Sequence, residues 1–401
     1  MSTTKLSKLV KAEHKCYDGE NSFFMEPYSI RYSCIHFTVH HSMPCDWCPP
    51  TTGSYGVGVR SYIIPFTDQQ NPSWPGNLST SYLVTVYYPT VQKLDEEVTP
   101  YMDPEAAVLL DALYNQTAGT VGNLTINVNP NASIARPPQG SLFPSLIFQP
   151  GFEGLSAMYS IQLTELPSRG YAVTALDFPY EGTFVRLSNG TDVRGIYGGQ
   201  FSFDIIPAIY EARVRAGTHF VKFWSTLAEQ LHAPFQIAPL GVFGQSLGVA
   251  AALGVADTIP NTKVVVSALN LDGGLYGDPA SNSSLADLKR PMLLIGTTNH
   301  TGPYDPAWDT FTVAQRGWWR TLWVAGADHL DFSDVAFWRE FSVERQISKT
   351  GNRGVHMINI TREFVTAFFN YTMLSQCERE LNQPGADWPE VTVHSGGNGT
   401  S

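Results

Sequence analysis

The sequence predicts an α/β fold in which helices cover both faces of a mostly parallel central sheet. Short apolar segments rich in β-branched residues alternate with amphipathic or Ala-rich segments from about residue 142 onward. With 401 residues, 43% of them hydrophobic and 15% charged, the chain can bury one large core. Its 34 glycines and 27 prolines are spread along the chain, as loops between many short elements require.

Three regions are expected along the chain. Residues 1–55, rich in Cys, His and Pro, are expected to form an irregular, disulfide-bearing extension. Residues 56–380 are expected to form the α/β domain, and residues 381–401, rich in Pro, Gly and Ser, a flexible tail.

The elements of the α/β domain follow from this alternation. An antiparallel pair of strands is expected first, at 57–65 and 82–88, followed by a surface excursion over 91–141 with a short helix at 104–114. A long loop over 179–207 is placed to cover a site. The remaining strands are predicted at 142–148, 171–178, 240–243, 264–271, 292–296 and 321–325, and the remaining helices at 156–166, 209–231, 246–256 and 357–374.

Composition limits the classes of partner and the cellular compartment that we expect for this protein. A net charge of −11 argues against a nucleic-acid partner, and the most apolar stretch, 239–256, contains Gly, Gln and Ser, so no transmembrane segment is expected. Residues 1–15 hold no apolar run that would serve as a signal peptide, so we expect that a signal was removed or that the gene start lies further upstream. Secretion is still expected, because ten of the eighteen asparagines begin an N-x-S/T triplet: Asn77, Asn115, Asn123, Asn131, Asn189, Asn282, Asn299, Asn359, Asn370 and Asn398.

The cysteines fit an oxidising compartment. Four of the five lie in the first 48 residues, which predicts one or two disulfides there with one thiol left over. The Cys-x-x-Cys pair lacks a surrounding βαβ unit, and its neighbouring histidines match no zinc signature, so no metal site is expected. The cysteines are Cys16, Cys34, Cys45, Cys48 and Cys377, and the histidines are His36, His40 and His41.

Ser246 is the strongest candidate for chemistry. It lies in Gly244-Gln245-Ser246-Leu247-Gly248, directly after an apolar strand and before an Ala/Gly-rich helix. A G-x-S-x-G in this context forms a sharp turn that exposes the hydroxyl of a nucleophilic serine, which is typical of an α/β-hydrolase fold. The amide of Leu247, at the helix start, is then one oxyanion donor, and that of Phe152, in the loop after an earlier strand, is the second.

The base and the acid must follow the nucleophile in this fold. Among the later histidines only His329 comes directly after a predicted strand, so it is the expected base. Asp272, at the end of the strand after the turn, is the favoured acid, and Asp305 and Asp278 remain alternatives. Asp328 and Asp331, too near the base in sequence, are expected to shape its loop instead. The residues expected to line the substrate site are Gln245, Tyr180, Phe184 and Trp308.

Eight segments in the same order resemble the platelet-activating-factor acetylhydrolase family, in its secreted fungal-type branch. They are GSYGVGV at 53–59, LVTVYYP at 83–89, QPGFEG at 149–154, SRGYAV at 168–173, GQSLG at 244–248, LNLDGG at 269–274, GADHLDFSD at 326–334 and REFVTAFFNYTML at 362–374. The resemblance favours Asp272 as the acid and implies short or oxidised acyl esters as substrates, without metal or cofactor. Two departures from the family's pattern are Gln245, where His is common, and Gln149-Pro150-Gly151, which replaces a frequent His-Gly pair.

The residues therefore predict a secreted carboxylic ester hydrolase that works through an acyl-enzyme. The resemblance implies short-chain acyl esters as substrates, including phospholipid acetyl esters. The expected partner is a small-molecule or lipid ester. Two alternatives stay open: an acyltransferase or lactone-forming tailoring enzyme on the same fold, and a catalytically dead secreted binding glycoprotein.

Overall fold

The computed structural model describes residues 46–74, 81–92, 99–275, 287–300, 307–341 and 354–399. The strands are β1 (Asp46–Trp47), β2 (Gly56–Pro65), β3 (Ser81–Thr90), β4 (Thr99–Pro100), β5 (Leu124–Ile126), β6 (Asn129–Pro130), β7 (Phe143–Gln149), β8 (Ala172–Asp177), β9 (Phe184–Arg186), β10 (Asp192–Arg194), β11 (Phe235–Gln245), β12 (Val265–Leu271), β13 (Met292–Gly296), β14 (Trp318–Val324) and β15 (Val391–Asn398). The helices are α1 (Pro104–Leu113), α2 (Ser160–Ser168), α3 (Ile206–Gln230), α4 (Leu247–Thr258), α5 (Ala307–Val313), α6 (Val335–Trp338) and α7 (Val355–Leu374).

A ten-stranded mixed sheet runs through the described residues in the order β15-β14-β13-β12-β11-β7-β8-β3-β2-β6. The six strands from β14 to β8 are parallel to one another, whereas β15 pairs antiparallel with β14, β3 with β8, and β2 with β3. Every residue of β7 and β13 is buried. Strands covered on both faces read as continuous apolar runs, which explains why the sequence marks them clearly.

Two helical layers cover the sheet. Along β13, Leu293 and Ile295 contribute to the core beneath α2 and α7, whereas Met292 and Leu294 contribute to the core beneath α3, α4 and α5. Successive side chains of a strand point to opposite faces, so one apolar strand serves both layers. The expected α/β-hydrolase architecture is confirmed.

The carboxyl-terminal segment differs from the sequence-based expectation. Residues 381–401 were expected to form a flexible tail, but β15 pairs with the whole length of β14. Its Gly396 and Gly397 pack closely on the Arg320 and Trp319 side chains, and His394 stacks on Trp323 at 3.6 Å. Gly and Ser favour strands only weakly, so the sequence of this segment does not predict a strand. The hydrogen bonds that make it one come from β14, which is distant in sequence.

Part of the N-terminal prediction lies outside the described residues, including Cys16, Cys34, Cys45 and the three nearby histidines, so the disulfides stay a prediction. Cys48 is buried and free. Burial also raises the pKa of the Cys48 thiol well above its usual range. Among the described residues, no helix combines the length and the apolar content that crossing a bilayer requires.

Candidate active site

The turn between β11 and α4 holds Ser246 in an uncommon backbone conformation, with φ 54° and ψ −127°. A Cβ at Gly248 would lie 2.1 Å from the carbonyl oxygen of Gln149, at the end of β7. Only glycine permits this approach of helix and strand. The local sequence therefore forces the turn that lifts the Ser246 hydroxyl above the carboxyl edge of the sheet.

His329 lies in the loop that follows β14, at the start of a 3₁₀ turn over His329–Phe332. Its Nε2 is 3.0 Å from Oγ of Ser246, and half of its side chain is exposed. Asp328 and Asp331 form a capping box on this turn, and Arg339 donates to Asp331 at 2.5 Å. The two aspartates next to His329 in sequence thus shape its loop, as the sequence predicts.

Asp272 follows β12 directly, with a φ of 48°, and its side chain is 1% exposed. Its Oδ2 is 2.7 Å from Nδ1 of His329, and its Oδ1 accepts the N–H of Thr297 at 2.5 Å and lies 3.1 Å from Nε2 of His300. Burial alone would raise the pKa of Asp272, but the hydrogen bonds from His300 and His329 bring it to about 2. The carboxylate is therefore ionised at neutral pH.

The structure brings Ser246, His329 and Asp272 together in one continuous line of hydrogen bonds. The alternative acids, Asp305 and Asp278, lie outside the described residues. The three groups come from the ends of β11, β14 and β12, and the carboxyl ends of parallel strands share one edge of the sheet.

The two amides expected to bind an oxyanion belong to Leu247, which follows Ser246, and to Phe152, which follows Gly151. Gly151 lies against Ser246, since a Cβ at Gly151 would be 3.4 Å from Cβ of Ser246. Among the hydrogen bonds of the described residues, none uses the N–H of Phe152 or the N–H of Leu247. Unpaired N–H groups at a helix start and in an adjoining loop are suited to binding an anionic oxygen.

A buried ion pair, which the sequence analysis missed, holds the loop before Phe152. Arg213 on α3 donates to the carbonyl oxygens of Pro150 and Gly151 and to both carboxylate oxygens of Glu181. Arg213 and Glu181 are almost fully buried. The sequence does contain a sign of this ion pair, because Arg213 is a charged residue on the apolar face of α3, between Ile209 and Phe220.

A second chain of hydrogen bonds crosses the site through Gln245. Its Nε2 donates to the carbonyl oxygen of His329 at 3.1 Å and lies 3.3 Å from the Nε2 of the same residue. Its Oε1 accepts the hydroxyl of Tyr159 at 2.9 Å, and that hydroxyl accepts the N–H of Gly151 at 3.1 Å. The Gln245 side chain is buried behind the reactive groups, where it ties the His329 loop to the Phe152 loop.

The other residues expected to contact substrate lie at different depths. Trp308 is buried, and its Nε1 donates to the carbonyl oxygen of Gly273 at 2.8 Å. Tyr180 is half-buried and lines a small cavity with Phe178 and Arg213, while Phe184 is buried in β9. The substrate roles of Gln245, Tyr180 and Trp308 stay predictions.

The loop over 179–207 folds onto the Phe152 loop. It contains the antiparallel pair β9 and β10. Gly199 donates its N–H to Glu153 at 2.8 Å, and Phe152 contacts Tyr197 and Phe201 with ring centroids 5.2 and 4.6 Å apart. The side of the site next to Phe152 is therefore apolar and aromatic.

His300 joins the site from the end of β13. It is one of the later histidines that the sequence does not favour as the base, since it lies in the Asn299 sequon ahead of the last predicted strand. Within the described part of the chain, ligand atoms of Asp272, His300 and His329 lie within 4.8 Å of one another. Such a set is one that a metal ion could use. The hydrogen bonds on Asp272 already account for the arrangement, and the expectation that no metal is needed stays a prediction.

With this geometry in view, the chain can be compared with known proteins. No protein-family model matches it. A curated protein of Arthroderma benhamiae, named a probable 1-alkyl-2-acetylglycerophosphocholine esterase, is 24% identical over 363 residues, which cover 83% of this chain and 90% of that protein. A solved ferulic acid esterase from Streptomyces cinnamoneus has a TM-score of 0.72 and 23% identity, and the match covers 88% of this chain and 100% of that one. Both of these proteins are named esterases. The solved structure confirms the fold, and the Arthroderma benhamiae protein confirms the resemblance to the platelet-activating-factor acetylhydrolase family that the motifs indicate.

Proposed function

We propose that the protein is a serine esterase that hydrolyses acyl esters in two steps. His329 accepts the proton of the Ser246 hydroxyl through Nε2 while Oγ attacks the ester carbonyl carbon. Asp272 accepts the Nδ1–H of His329, which fixes the tautomer and stabilises the imidazolium. His329 then gives its proton to the leaving alcohol, and an acyl group remains on Ser246.

Water completes the cycle in the second step. His329 takes a proton from water, the hydroxide attacks the acyl carbonyl, and Ser246 leaves with the proton returned by His329. The amides of Phe152 and Leu247 hold the oxyanion in both steps. The observation that carries this proposal is the line from Oγ of Ser246 to Nε2 of His329, 3.0 Å, and from Nδ1 of His329 to Oδ2 of Asp272, 2.7 Å.

The substrate class we propose is a short acyl ester, with the acetyl ester of an ether phospholipid as one case. The name of the Arthroderma benhamiae relative supports this choice. The apolar wall formed by Phe152, Tyr197 and Phe201 suits an acyl group more than a charged one.

Labelling by a fluorophosphonate probe, together with hydrolysis of p-nitrophenyl acetate, tests the nucleophile. Ser246→Ala should abolish labelling and lower kcat by on the order of 10⁶, the loss typical of a triad serine. Ser202→Ala, which changes an exposed serine that caps a short turn, should leave both unchanged. A Ser246→Ala variant that keeps a large share of the activity would contradict the mechanism.

The same experiment separates the alternatives. A wild-type protein that takes no label would favour a binding glycoprotein on an inactive hydrolase fold. Product analysis with an added alcohol would show new ester, and not free acid, if the acyl-enzyme passes its acyl group to an alcohol.

We also propose that the protein is secreted and N-glycosylated. Of the eight sequon asparagines that the structure describes, seven are exposed, as glycan attachment requires. Asn370 is the exception, because it is half-buried and its Oδ1 accepts the hydroxyl of Tyr171 at 2.9 Å. Enzymatic removal of N-glycans from the protein expressed in a glycosylating host should lower its mass, and an unchanged mass would contradict this proposal.

A further inference from the structure

We propose that His300 is a positioning residue of the esterase site, holding the Asp272 carboxylate in the orientation that aims its Oδ2 at His329. This inference rests on the proposed function, since it assigns a fourth member to the Ser246, His329 and Asp272 line. His300 touches no reacting atom and acts through Asp272.

The first support is the way the two carboxylate oxygens divide their partners. Oδ2 of Asp272 faces Nδ1 of His329 at 2.7 Å, and Oδ1 faces Nε2 of His300 at 3.1 Å and the N–H of Thr297 at 2.5 Å. An ionised carboxylate only accepts hydrogen bonds, so Nε2 of His300 must carry the hydrogen. With Oδ1 fixed by two donors, the carboxyl plane cannot rotate away from His329.

The second support is that His300 is itself held in place. Its ring stacks on Trp308 with centroids 4.6 Å apart and planes 8° from parallel. Trp308 is anchored in turn by its bond to the carbonyl oxygen of Gly273, the residue after Asp272. The side chain of His300 is only 14% exposed. A histidine with no role beyond its place in a surface loop would need neither the stacking on Trp308 nor the hydrogen bond that anchors Trp308.

The space around the Asp272 carboxylate is tight at the end of β13. A Cβ at Gly296 would lie 2.5 Å from Oδ1 of Asp272 and 2.9 Å from the Trp308 ring. The end of β13 therefore lacks a side chain at the point where His300, Trp308 and Asp272 converge. This packing brings a second imidazole to an oxygen that the first does not use.

The charge on Asp272 determines what loss of the His300 hydrogen bond should change. Asp272 and His329 both lie beside the His300 ring, and ligand atoms of the three residues are within 4.8 Å of one another. A donor on Oδ1 draws negative charge away from Oδ2 and so moderates how strongly Asp272 favours the imidazolium form of His329. Loss of that donor should therefore change the pH dependence of the reaction, in addition to loosening the orientation of His329.

Two substitutions separate the hydrogen bond from the packing. His300→Phe keeps a ring to stack on Trp308 but has no donor, whereas His300→Gln keeps an N–H donor but cannot stack. We expect His300→Phe to lower kcat about ten- to a hundredfold, as loss of a partner that orients an active-site ligand commonly does. Its KM should change little, and the acidic limb of its kcat/KM profile should move to higher pH. His300→Gln should keep most of the wild-type kcat, and the acidic limb of its kcat/KM profile should lie at the wild-type pH.

A matched control is available in His394, which also stacks on a tryptophan, Trp323, but in β15. His394→Phe should leave kcat and the pH profile unchanged. Melting temperatures of all variants show whether they are folded, and if His300→Phe does not fold, His300→Leu, which also removes the donor, replaces it in the comparison with His300→Gln. A His300→Phe enzyme with wild-type kcat and limb, or a His300→Gln enzyme no better than His300→Phe, would overturn the role of His300 in positioning Asp272.

Failure of this inference is distinguishable from failure of the proposed function. If Ser246→Ala is inactive and unlabelled while His300→Phe behaves like wild type, only the role of His300 falls. If Ser246→Ala is active, the esterase mechanism falls, and the role of His300 with it.

Discussion

Two buried carboxylates, Asp272 and Asp334, show how differently one side chain behaves in two parts of this molecule. Both are at most 1% exposed. Burial raises the pKa of Asp334 to about 8, whereas the pKa of Asp272 is lowered to about 2. Asp272 lies at the carboxyl edge of the sheet, and Asp334 lies between α2 and α6.

The two carboxylates differ in their hydrogen-bond partners. Asp272 has two histidines and a backbone N–H distributed over both oxygens. Asp334 accepts the hydroxyl of Tyr101 at 2.7 Å and the N–H of Ile161 at 2.9 Å, both on Oδ2, and its Oδ1 has no hydrogen-bond partner. Burial alone therefore does not set ionisation. Two histidines that donate directly to Asp272 lower its pKa, whereas the donors to Asp334 and the charge of Arg362 do not offset its burial.

The largest expected effect comes from making the same substitution at both carboxylates. Asp272→Asn should lower kcat by about 10⁴, because an amide donor in place of the carboxylate favours the wrong His329 tautomer. Asp334→Asn should leave kcat near the wild-type value. Steady-state hydrolysis of p-nitrophenyl acetate measures both, and similar losses in the two variants would abolish the contrast between the two regions.

The second effect is a change in how the free energy of unfolding depends on pH. The native state keeps the Asp334 proton up to about pH 8, while the unfolded chain releases it near its ordinary value of 3.8. The unfolded state then binds fewer protons, so this group makes the free energy of unfolding fall as pH rises from about 4 to 8. Asp272 acts in the opposite direction, and its contribution is lost only as pH falls towards 2.

Asp334→Asn should therefore flatten the decline in stability between pH 5 and 8, measured by urea unfolding at a series of pH values. Asp111 offers a matched control, since it is buried and its two oxygens accept the N–H groups of Gly119 and Val121. Asp111→Asn should lower stability at every pH without changing the slope, because an amide donor would face a backbone donor. An unchanged slope in Asp334→Asn would contradict a neutral Asp334.

The smallest effect tests one donor of the Asp334 region. Tyr101→Phe removes the hydroxyl that Asp334 accepts and should cost about 1 kcal/mol of unfolding free energy at pH 7. Tyr114→Phe is the control, because Tyr114 packs edge-on against the same Trp338 ring as Tyr101 but gives Asp334 no hydrogen bond. Equal losses for the two tyrosines would show that packing, and not the hydroxyl, matters here.

The sequence predicts the parts of this protein that depend on local backbone geometry. The small neighbours of Ser246 and the buried runs of β7, β12 and β13 can be read without knowledge of tertiary contacts. His329 and Asp272 could be selected because they follow strands whose carboxyl ends must share an edge.

Side-chain partnerships that span long distances in sequence were not predictable in the same way. His300 meets Asp272, and Arg213 meets the Pro150 carbonyl, only after the sheet has assembled. The sequence shows His300 only as a histidine in the Asn299 sequon, ahead of the last predicted strand, so it favours His329 as the base and gives His300 no other role. Arg213 could have been noticed as a charge on an apolar helix face, but its partners could not be named.

The pairing of β15 with β14 has a practical consequence for handling this protein. Val391 pairs with Val324, the last residue of the strand from which the His329 loop departs. A chain truncated ahead of Val391 would retain every reacting group and yet leave one flank of that strand open to water. Fusion tags and trimmed versions should therefore spare β15, because the loop that holds His329 departs from a strand that β15 flanks.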